Sequence, residues 1–232
     1  MYNKINNVLF DLDGTLVDSI NDIYICVNTT LKNFKLETIS MEDTCKYVGN
    51  GAKVLIHKAI NNSYNKHNNN YLNNIEEEVY NYYMKFYEKH CIDSTKLYSG
   101  VLETLELLYK NNINMFIISN KPNKMTIKTA DKLNIKKYFK AIIGDGFYPY
   151  KKPDINIWYC LKKDYGINEE NTIMIGDGIA DYEFAKNANI KIILVLYGIT
   201  DKNLLLNLNN EYYLNNFEEV SDYIKTIFYA WQ

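Results

Sequence analysis

Short runs of β-branched and apolar residues alternate along this chain with segments of helical periodicity, and this alternation limits the possible folds more than any other feature. Parallel strands need long crossover connections, which are usually helices, so alternation of this kind is typical of a parallel α/β sheet. The strands are predicted at Asn7–Phe10, Asn114–Ile118, Ala141–Ile143, Thr172–Ile175, Lys191–Leu196 and Tyr212–Leu214.

The alternation fails between residues 19 and 93, where only helical patterns occur. These patterns cover Ile20–Phe34, Met41–Tyr47, Ala52–Ile60 and Ile75–His90. A crossover needs only one helix, so we interpret the stretch as a separate helical module. The predicted domains are a discontinuous core, residues 1–17 and 94–232, and an α-helical cap, residues 18–93. Within the cap, the Asn-rich tract 61–74 has few apolar residues and is predicted to be a loop.

The composition argues against several kinds of partner and site. The 26 basic and 28 acidic residues give a net charge of −2, which favours no nucleic-acid surface. All the basic residues are lysine, so anions must be held by lysine, hydroxyl or backbone N–H groups. The 4 cysteines lie far apart, and they predict neither a disulfide framework nor a zinc site. With no apolar stretch that resembles a membrane span or leader, we expect a cytoplasmic monomer or homodimer.

The first predicted strand ends abruptly in two acids and a glycine, at Asp11, Asp13 and Gly14. Two carboxylates so close together repel each other and favour a hard divalent cation such as Mg²⁺. A carboxylate beside Mg²⁺ can attack a phosphoryl group whose charge the metal has neutralised. Gly14 would let backbone N–H groups approach a phosphate. Taken alone, the motif is also compatible with an ordinary acidic turn.

Other polar residues follow the later strands. Ser119 and Asn120 follow the second strand, Lys152 lies in the loop after the third, and Asp177 and Asp181 follow the fourth. Singly, each has an ordinary interpretation as a helix cap, a surface lysine or a turn residue. Because an α/β sheet collects its functional groups beyond the carboxyl ends of its strands, we predict that they share one crevice.

Together these motifs resemble those of the haloacid dehalogenase superfamily of phosphotransferases, over nearly the whole chain. The matching motifs are D-x-D-G-T/S at Asp11–Thr15, the hydroxyl of Ser119, the pair Lys152-Pro153, and G-D-x-x-x-D at Gly176–Asp181. The chain looks most similar to the phosphoglycolate phosphatase-like branch, on the stretches Tyr47–Leu55, Tyr98–Leu105 and Ser119–Pro122. The resemblance implies a Rossmann-like core with a helical cap that selects the substrate.

The resemblance also implies a role for each matching residue. Asp11 would be the nucleophile that forms an aspartyl-phosphate, and Asp13 would serve as acid and base for the leaving alkoxide and the hydrolytic water. Mg²⁺ would be held by the Asp11 and Asp177 carboxylates and by the backbone carbonyl of Asp13. Asp181 would orient Lys152 or metal-bound water. The phosphoryl group would be bound by Gly14, Thr15, Ser119, Asn120 and Lys152.

The cap is expected to choose the substrate by closing on the crevice. The run Gly49-Asn50-Gly51 places a flexible loop at the N-terminus of a helix, where free N–H groups suit an anion. Lys53 is predicted to bind a carboxylate or second phosphate of the substrate, with Lys46 in reserve; a solvated helix lysine is the alternative. The loops that border the pocket depart from the family, as in Lys152-Pro153-Asp154-Ile155 for K-P-x-P, which weakens a borrowed substrate assignment.

The predicted function is a Mg²⁺-dependent phosphatase that acts on a small phosphorylated metabolite, with 2-phosphoglycolate as the first candidate. A hexose-phosphate mutase, a pyrophosphatase and a nucleotidase of the same superfamily remain alternatives. Dehalogenases and phosphonate-cleaving relatives lack the acid at Asp13, which a leaving alkoxide needs. A phospho-acceptor signalling domain also uses a strand-end acid, but Asp13 and the helical insert argue against it. Because every catalytic position is present, a non-catalytic binding domain is disfavoured.

Overall fold

The structure is a computed structural model that describes residues 5–64, 75–220 and 222–223. Its strands are β1 Asn7–Phe10, β2 Val17–Asp18, β3 Lys96–Leu97, β4 Asn114–Pro122, β5 Ala141–Asp145, β6 Thr172–Gly176, β7 Lys191–Val195 and β8 Tyr212–Leu214. Six of them form a sheet in the order β5-β4-β1-β6-β7-β8, and every neighbouring pair is parallel. The predicted α/β fold class is therefore confirmed. The other two, β2 and β3, form a short antiparallel pair that the sequence did not predict.

The helices are α1 Ile20–Asn33, α2 Met41–Tyr47, α3 Ala52–Tyr64, α4 Glu76–His90, α5 Val101–Lys110, α6 Asn123–Lys132, α7 Asn156–Tyr165, α8 Ile179–Asn187 and α9 Lys202–Leu206. Within the part of the chain that the structure describes, none is both long and apolar enough to cross a membrane.

One predicted boundary in the insert is wrong. Helix α3 continues to Tyr64, so the first residues of the Asn-rich tract 61–74 are helical and do not form a loop. Two side chains of this last turn are held by the preceding segment: Asn62 Nδ2 donates to Tyr47 Oη (2.9 Å) and Ser63 Oγ donates to Glu37 O (2.5 Å). The rest of the tract lies outside the described residues.

Strand β1 lies in the middle of the sheet and positions the first motif. Phe10 pairs with Ile117 of β4 on one side and with Ile175 of β6 on the other. Val8, Leu9 and Phe10 are fully buried, as expected for a strand covered on both faces. The chain therefore leaves β1 at the centre of the carboxyl edge of the sheet.

The helical insert has an apolar core of its own. This core joins side chains of α1, α3 and α4, and Met125 of α6 also belongs to it; among its members are Ile23, Val27, Leu31, Leu55, Ile56, Val79 and Tyr83. Two further clusters include apolar side chains of the sheet and of the helices packed on it. A module that can bury its own apolar surface agrees with the predicted cap, whereas its limits at residues 18 and 93 stay a prediction.

The two connections between sheet and insert are tied together by Asp22 at the start of α1. Its buried carboxylate accepts hydrogen bonds from the backbone N–H and hydroxyl of Ser94 (2.9 and 2.5 Å) and from those of Thr95 (2.8 and 2.6 Å). Burial alone would raise the pKa of Asp22, but these hydrogen bonds outweigh it and the net shift is downward. With the β2–β3 pair beside it, this junction fixes where α1 and α4 stand over the sheet edge.

Candidate active site

The carboxyl edge of the sheet gathers three carboxylates around one lysine. Asp11 follows β1, Asp177 follows β6, and Asp181 lies in the first turn of α8; one oxygen of each lies within 4.8 Å of the others. Lys152 comes from the loop between β5 and α7, and its side chain is 1% exposed. Its Nζ lies 2.5 Å from Asp181 Oδ1 and 3.1 Å from Asp11 Oδ1. The residues that the motifs predicted to meet at this edge are therefore neighbours.

The cluster contains three acidic side chains and one lysine, so its acidic groups outnumber its basic group. Burial raises the pKa of Asp11 to about 8; Asp181 adds to the shift, Lys152 opposes it and Asp177 adds a smaller amount. Burial and then Asp181 raise the pKa of Asp177 to about 7. Burial alone would lower the pKa of Lys152, but Asp11 and Asp181 outweigh it and the shift is upward. The cluster therefore has the excess negative charge that a hard cation would offset.

The loop after β1 is shaped around Asp177. Gly14 has a φ of +84°, and a Cβ at this position would lie 2.2 Å from Asp177 Oδ2, so glycine is required here. The Thr15 hydroxyl donates to Asp177 Oδ1 (2.8 Å), and the N–H of Ile199 donates to Oδ2 (2.8 Å). These two hydrogen bonds fix the orientation of the Asp177 carboxylate, and Gly14 leaves room for it.

Gly14 and Thr15, which were predicted to bind the phosphoryl group, direct their hydrogen bonds elsewhere in this structure. Their backbone N–H groups donate to Val17 O (2.9 Å) and Leu12 O (3.3 Å) within the turn. The Thr15 side chain is fully buried against Asp177. Both residues support a candidate metal ligand, and neither offers a free donor to the crevice.

The side-chain amide of Asn120 is occupied by backbone partners in this structure. Its amide Nδ2 donates to Lys152 O (2.9 Å) and to Gly49 O (2.8 Å), and its Oδ1 accepts from Lys152 N (2.9 Å). These bonds use both amide protons, so the side chain has none left for the phosphoryl oxygens it was predicted to bind. Asn120 instead fixes the backbone of Lys152 and ties the cap loop at Gly49 to the sheet.

Ser119 keeps the position that was predicted for it. It lines the crevice with Asp11 and Asp13, and its Oγ accepts a hydrogen bond from the N–H of Lys121 (3.2 Å). Because the oxygen is an acceptor in that contact, the hydroxyl proton is left to donate to a phosphoryl oxygen.

Lys121 is the residue that sequence reasoning missed. Its Nζ lies 2.8 Å from Asp13 Oδ1 and 3.1 Å from Oδ2, and it donates to Tyr87 Oη at 2.5 Å. Ser19 Oγ also donates to Asp13 Oδ1, at 2.6 Å. Side chains alternate along a strand, so the extension of β4 to Pro122 would have indicated that Lys121 shares a face with Ser119.

The cap presents a mainly apolar wall to the crevice. Besides Gly49 and Gly51, the cap residues that line it are Ile23, Val48, Ala52, Leu55, Tyr83 and Tyr87. The two glycines of the predicted loop therefore do reach the crevice. Asn50 between them is exposed, and its carbonyl accepts from Lys151 Nζ (3.0 Å) at the outer side of the loop.

The structure places Lys53, which was predicted to bind the substrate, outside the crevice. Its side chain is 66% exposed and its Nζ lies 3.7 Å from Glu77 Oε2, away from the residues that line the crevice. Helical spacing turns Ala52 and Leu55 inward and so turns Lys53 outward. Lys46, the reserve candidate, is paired with Glu42 at 2.6 Å and is also exposed.

Comparisons with known proteins identify the family of this chain. The family model of the haloacid dehalogenase-like hydrolases matches residues 8–195. A phosphoglycolate phosphatase of Pseudomonas syringae pv. tomato is 34% identical over 192 residues, which cover 82% of this chain and 69% of that protein. A phosphoglycolate phosphatase of Chromobacterium violaceum is 31% identical over 222 residues, which cover 95% of this chain and 97% of that protein.

A solved structure supports the fold independently of close sequence similarity. The crystal structure described as a predicted phosphoglycolate phosphatase from Haemophilus somnus superposes with a TM-score of 0.88 at 23% identity, over 96% of this chain and 99% of that one. The motifs, the sheet order and the family match lead to the same assignment. This chain belongs to the haloacid dehalogenase-like hydrolases and is a phosphatase of their phosphoglycolate phosphatase-like branch.

Proposed function

We propose that this phosphatase depends on Mg²⁺ and hydrolyses a small phosphorylated metabolite through an aspartyl-phosphate on Asp11, with 2-phosphoglycolate as the first candidate substrate. The observation that carries the proposal is the placement of Asp11. It lines the crevice beside Asp13 and Ser119, and Lys152 Nζ lies 3.1 Å from its Oδ1. Relatives named phosphoglycolate phosphatase, 34% and 31% identical to this chain, support the choice of substrate.

The donor set fits a hard divalent cation. Mg²⁺ takes oxygen ligands, and the Asp11 and Asp177 carboxylates offer them in one buried cluster. The backbone carbonyl of Asp13 would be the third protein ligand. Asp181 is already committed to Lys152 Nζ and to the N–H of Gly178 (2.9 Å), so it would act by holding the lysine. When bound, Mg²⁺ would neutralise charge on the phosphoryl group.

The protein's own groups account for the remaining chemistry. The N–H of Leu12 donates to Asp11 Oδ1 (2.7 Å) and fixes the carboxylate that attacks phosphorus. Asp13 protonates the leaving alkoxide and then takes the proton of the water that hydrolyses the aspartyl-phosphate. A positioned acid and base of this kind is worth roughly 10²–10⁴-fold in rate. Lys152 and Ser119 would offset charge on the phosphoryl oxygens in the transition state.

A phosphate-release screen over several dozen phosphate esters with Mg²⁺ tests the proposal, with Asp11→Asn as the blank. Asp131→Asn is a matched control, because this carboxylate is 66% exposed and its ion pair with Lys136 is 3.9 Å long. We expect release by the wild type and by Asp131→Asn, no release by Asp11→Asn, and loss of activity with a chelator. Equal release by all three proteins would contradict the proposal. Transfer of the phosphoryl group within a sugar phosphate, without release, would instead indicate a mutase.

A further inference from the structure

We propose that Lys121, Tyr83 and Tyr87 form a subsite that binds a carboxylate on the leaving part of the substrate. The inference rests on the proposed phosphatase activity and assigns substrate selection to residues other than the cap lysines. Lys121 supplies a charge and contacts Asp13 directly, and the two tyrosines supply hydroxyl groups to the same crevice.

Lys121 is a buried charge that opens on the crevice. Its side chain is 1% exposed, and among the described residues that line the crevice it is the only cationic one. Lys152 is not among the residues that line the crevice and is paired with two acids, Asp11 and Asp181. The three donors of this ammonium group contact both oxygens of Asp13 and Tyr87 Oη, so a ligand anion would replace the longer of the two Asp13 contacts, at 3.1 Å.

Tyr83 and Tyr87 place two hydroxyl groups beside this charge. Their rings stack with centroids 5.1 Å apart, and both side chains line the crevice. Burial raises the pKa of each well above its usual range, so both hydroxyls keep their protons. Because Tyr87 Oη accepts from Lys121, its proton is left for another acceptor.

The Tyr83 hydroxyl points to a ligand more directly. Its residue is 1% exposed and lines the crevice. Among the described residues, the buried side-chain atom left without a hydrogen-bond partner is Thr129 Oγ1, so the Tyr83 hydroxyl is not sealed in the core and opens on the crevice. An acceptor on a bound ligand can therefore receive its proton.

The position of the subsite defines the ligand class. Lys121 contacts the same carboxylate, Asp13, that would give a proton to the leaving oxygen, so a group bound by Lys121 must belong to the leaving part of the ester and lie a few atoms from phosphorus. A carboxylate accepts from an ammonium and two hydroxyls at once. The apolar walls at Ile23, Val48 and Leu55 would strengthen these contacts by excluding water. The geometry thus fits a phosphorylated 2-hydroxy acid of few carbons.

Two esters of matched size test the inference. One is 2-phosphoglycolate, and the other is 2-hydroxyethyl phosphate, in which a neutral hydroxyl replaces the carboxylate. The quantity measured is the ratio of their kcat/KM values with Mg²⁺. We expect Tyr83→Phe to lower this ratio about tenfold, mainly through KM, because one hydrogen bond to a charged group is lost. Lys121→Met should lower the ratio about 100-fold, in addition to slowing both reactions through Asp13.

The controls use the nearest equivalent residues outside the crevice. Tyr82→Phe removes a hydroxyl from the adjacent residue of α4, whose ring packs on Phe34 and Phe86. Lys53→Met removes an exposed lysine of the cap. Both should leave the ratio unchanged. A wild type that does not prefer the carboxylated ester, or equal losses on both esters in Tyr83→Phe and Lys121→Met, would overturn the inference and leave Lys121 as a support for Asp13 or a phosphoryl ligand.

A binding measurement separates this inference from the proposed function. In an Asp11→Asn background, calorimetry of 2-phosphoglycolate with Mg²⁺ does not depend on turnover. Adding Tyr83→Phe should weaken binding of 2-phosphoglycolate about tenfold and leave that of 2-hydroxyethyl phosphate unchanged. Unchanged binding of both would contradict the subsite, even if the wild type proved to be an active phosphatase. Conversely, the selective loss would uphold the subsite if the wild type failed to release phosphate.

Discussion

The sheet edge and the helical insert hold their polar groups in opposite ways. At the sheet edge, Asp177 and Lys152 are buried and fixed by hydrogen bonds to other residues of the core. On the insert, the wall over the crevice is mostly apolar, and Lys46 and Lys53 point into solvent. We therefore expect the reaction to take place on residues of the sheet edge, while the insert covers the crevice. The proposed subsite for the carboxylate of the substrate lies at the boundary between them, where Lys121 contacts Tyr87 of α4.

The largest effect is expected from a substitution of Lys152, which is buried at the sheet edge. Lys152→Met would leave Asp11 and Asp181 without their shared cation and would remove a donor to the transition state. We expect kcat/KM to fall about 10³-fold, and the free energy of unfolding to fall by about 3–5 kcal/mol. Steady-state kinetics and denaturant unfolding measure the two effects.

The adjacent lysine is the control for this change. Among the residues that the structure describes, Lys151 donates to the carbonyl of Asn50 in the cap loop and to no other acceptor. Lys151→Met should therefore change kcat/KM less than about threefold, in the range of an exposed polar contact. Comparable losses in both variants would mean that the buried cation has no special role at the sheet edge.

A second pair of variants tests how closely the loop after β1 is fitted to Asp177. Gly14 and Gly146 both have a positive φ, +84° and +92°, so alanine introduces backbone strain at either site. Only at Gly14 would the new Cβ meet Asp177, whereas nothing lies within 4 Å at Gly146. We expect Gly14→Ala to lower kcat about 10²-fold by displacing the carboxylate. Similar activities for the two variants would show that the fit does not matter.

The acids at the sheet edge also predict how stability depends on pH and metal. Without a cation, the pKa values of Asp11 and Asp177 are about 8 and 7, above the ordinary 3.8. An acid whose pKa is raised by folding contributes stability that is present at low pH and is lost as pH rises through the folded pKa. Between about pH 5 and 8 these two groups therefore lower the Tm of the metal-free protein progressively, and Mg²⁺ should oppose that fall.

Thermal unfolding with Mg²⁺ and with a chelator measures this effect. The gain in Tm on adding Mg²⁺ should increase from about pH 5 to 8, and Asp177→Asn should show a smaller gain. A gain that does not vary with pH, or that survives unchanged in Asp177→Asn, would show that the cation does not bind these acids.

The smallest expected effect is on the cap. Lys53→Met should change the KM for 2-phosphoglycolate less than about twofold, because the lysine is 66% exposed and only loosely paired with Glu77. Steady-state kinetics with a neutral ester as the reference is sufficient. A KM that rises tenfold for the carboxylated ester alone would return substrate recognition to the cap.

The central strand was predictable from sequence because burial on both faces leaves a continuous apolar run. The predicted limits of β1, Asn7–Phe10, are those observed. Strand β4 was predicted to end at Ile118, where polar residues begin, yet it continues to Pro122, which pairs with Asp145. Polar residues are compatible with a strand here because they face the crevice and each other. These contacts depend on the tertiary structure, and the local sequence does not predict them. Lys121 was missed for that reason.

The sequence located the site residues better than it assigned their roles. Motif spacing brings Asp11, Lys152 and Asp177 to the sheet edge, as observed. Motif spacing does not reveal that the Thr15 hydroxyl donates a hydrogen bond to Asp177, which lies 162 positions away. Nor does it reveal that both amide protons of Asn120 are donated to backbone carbonyls. The orientation of Lys53 could have been inferred, since Ala52 and Leu55 define the inward face of α3.

The most direct test of the account is to find the phosphoryl group on the protein. Wild type and Asp11→Asn are mixed with a ³²P-labelled substrate from the phosphate-release screen and Mg²⁺, quenched in acid within the first turnover, digested and analysed by mass spectrometry. We expect the labelled phosphoryl group on the peptide that contains Asp11 in the wild type, and no label on that peptide in Asp11→Asn. Label on another residue, or turnover that proceeds in Asp11→Asn, would contradict it.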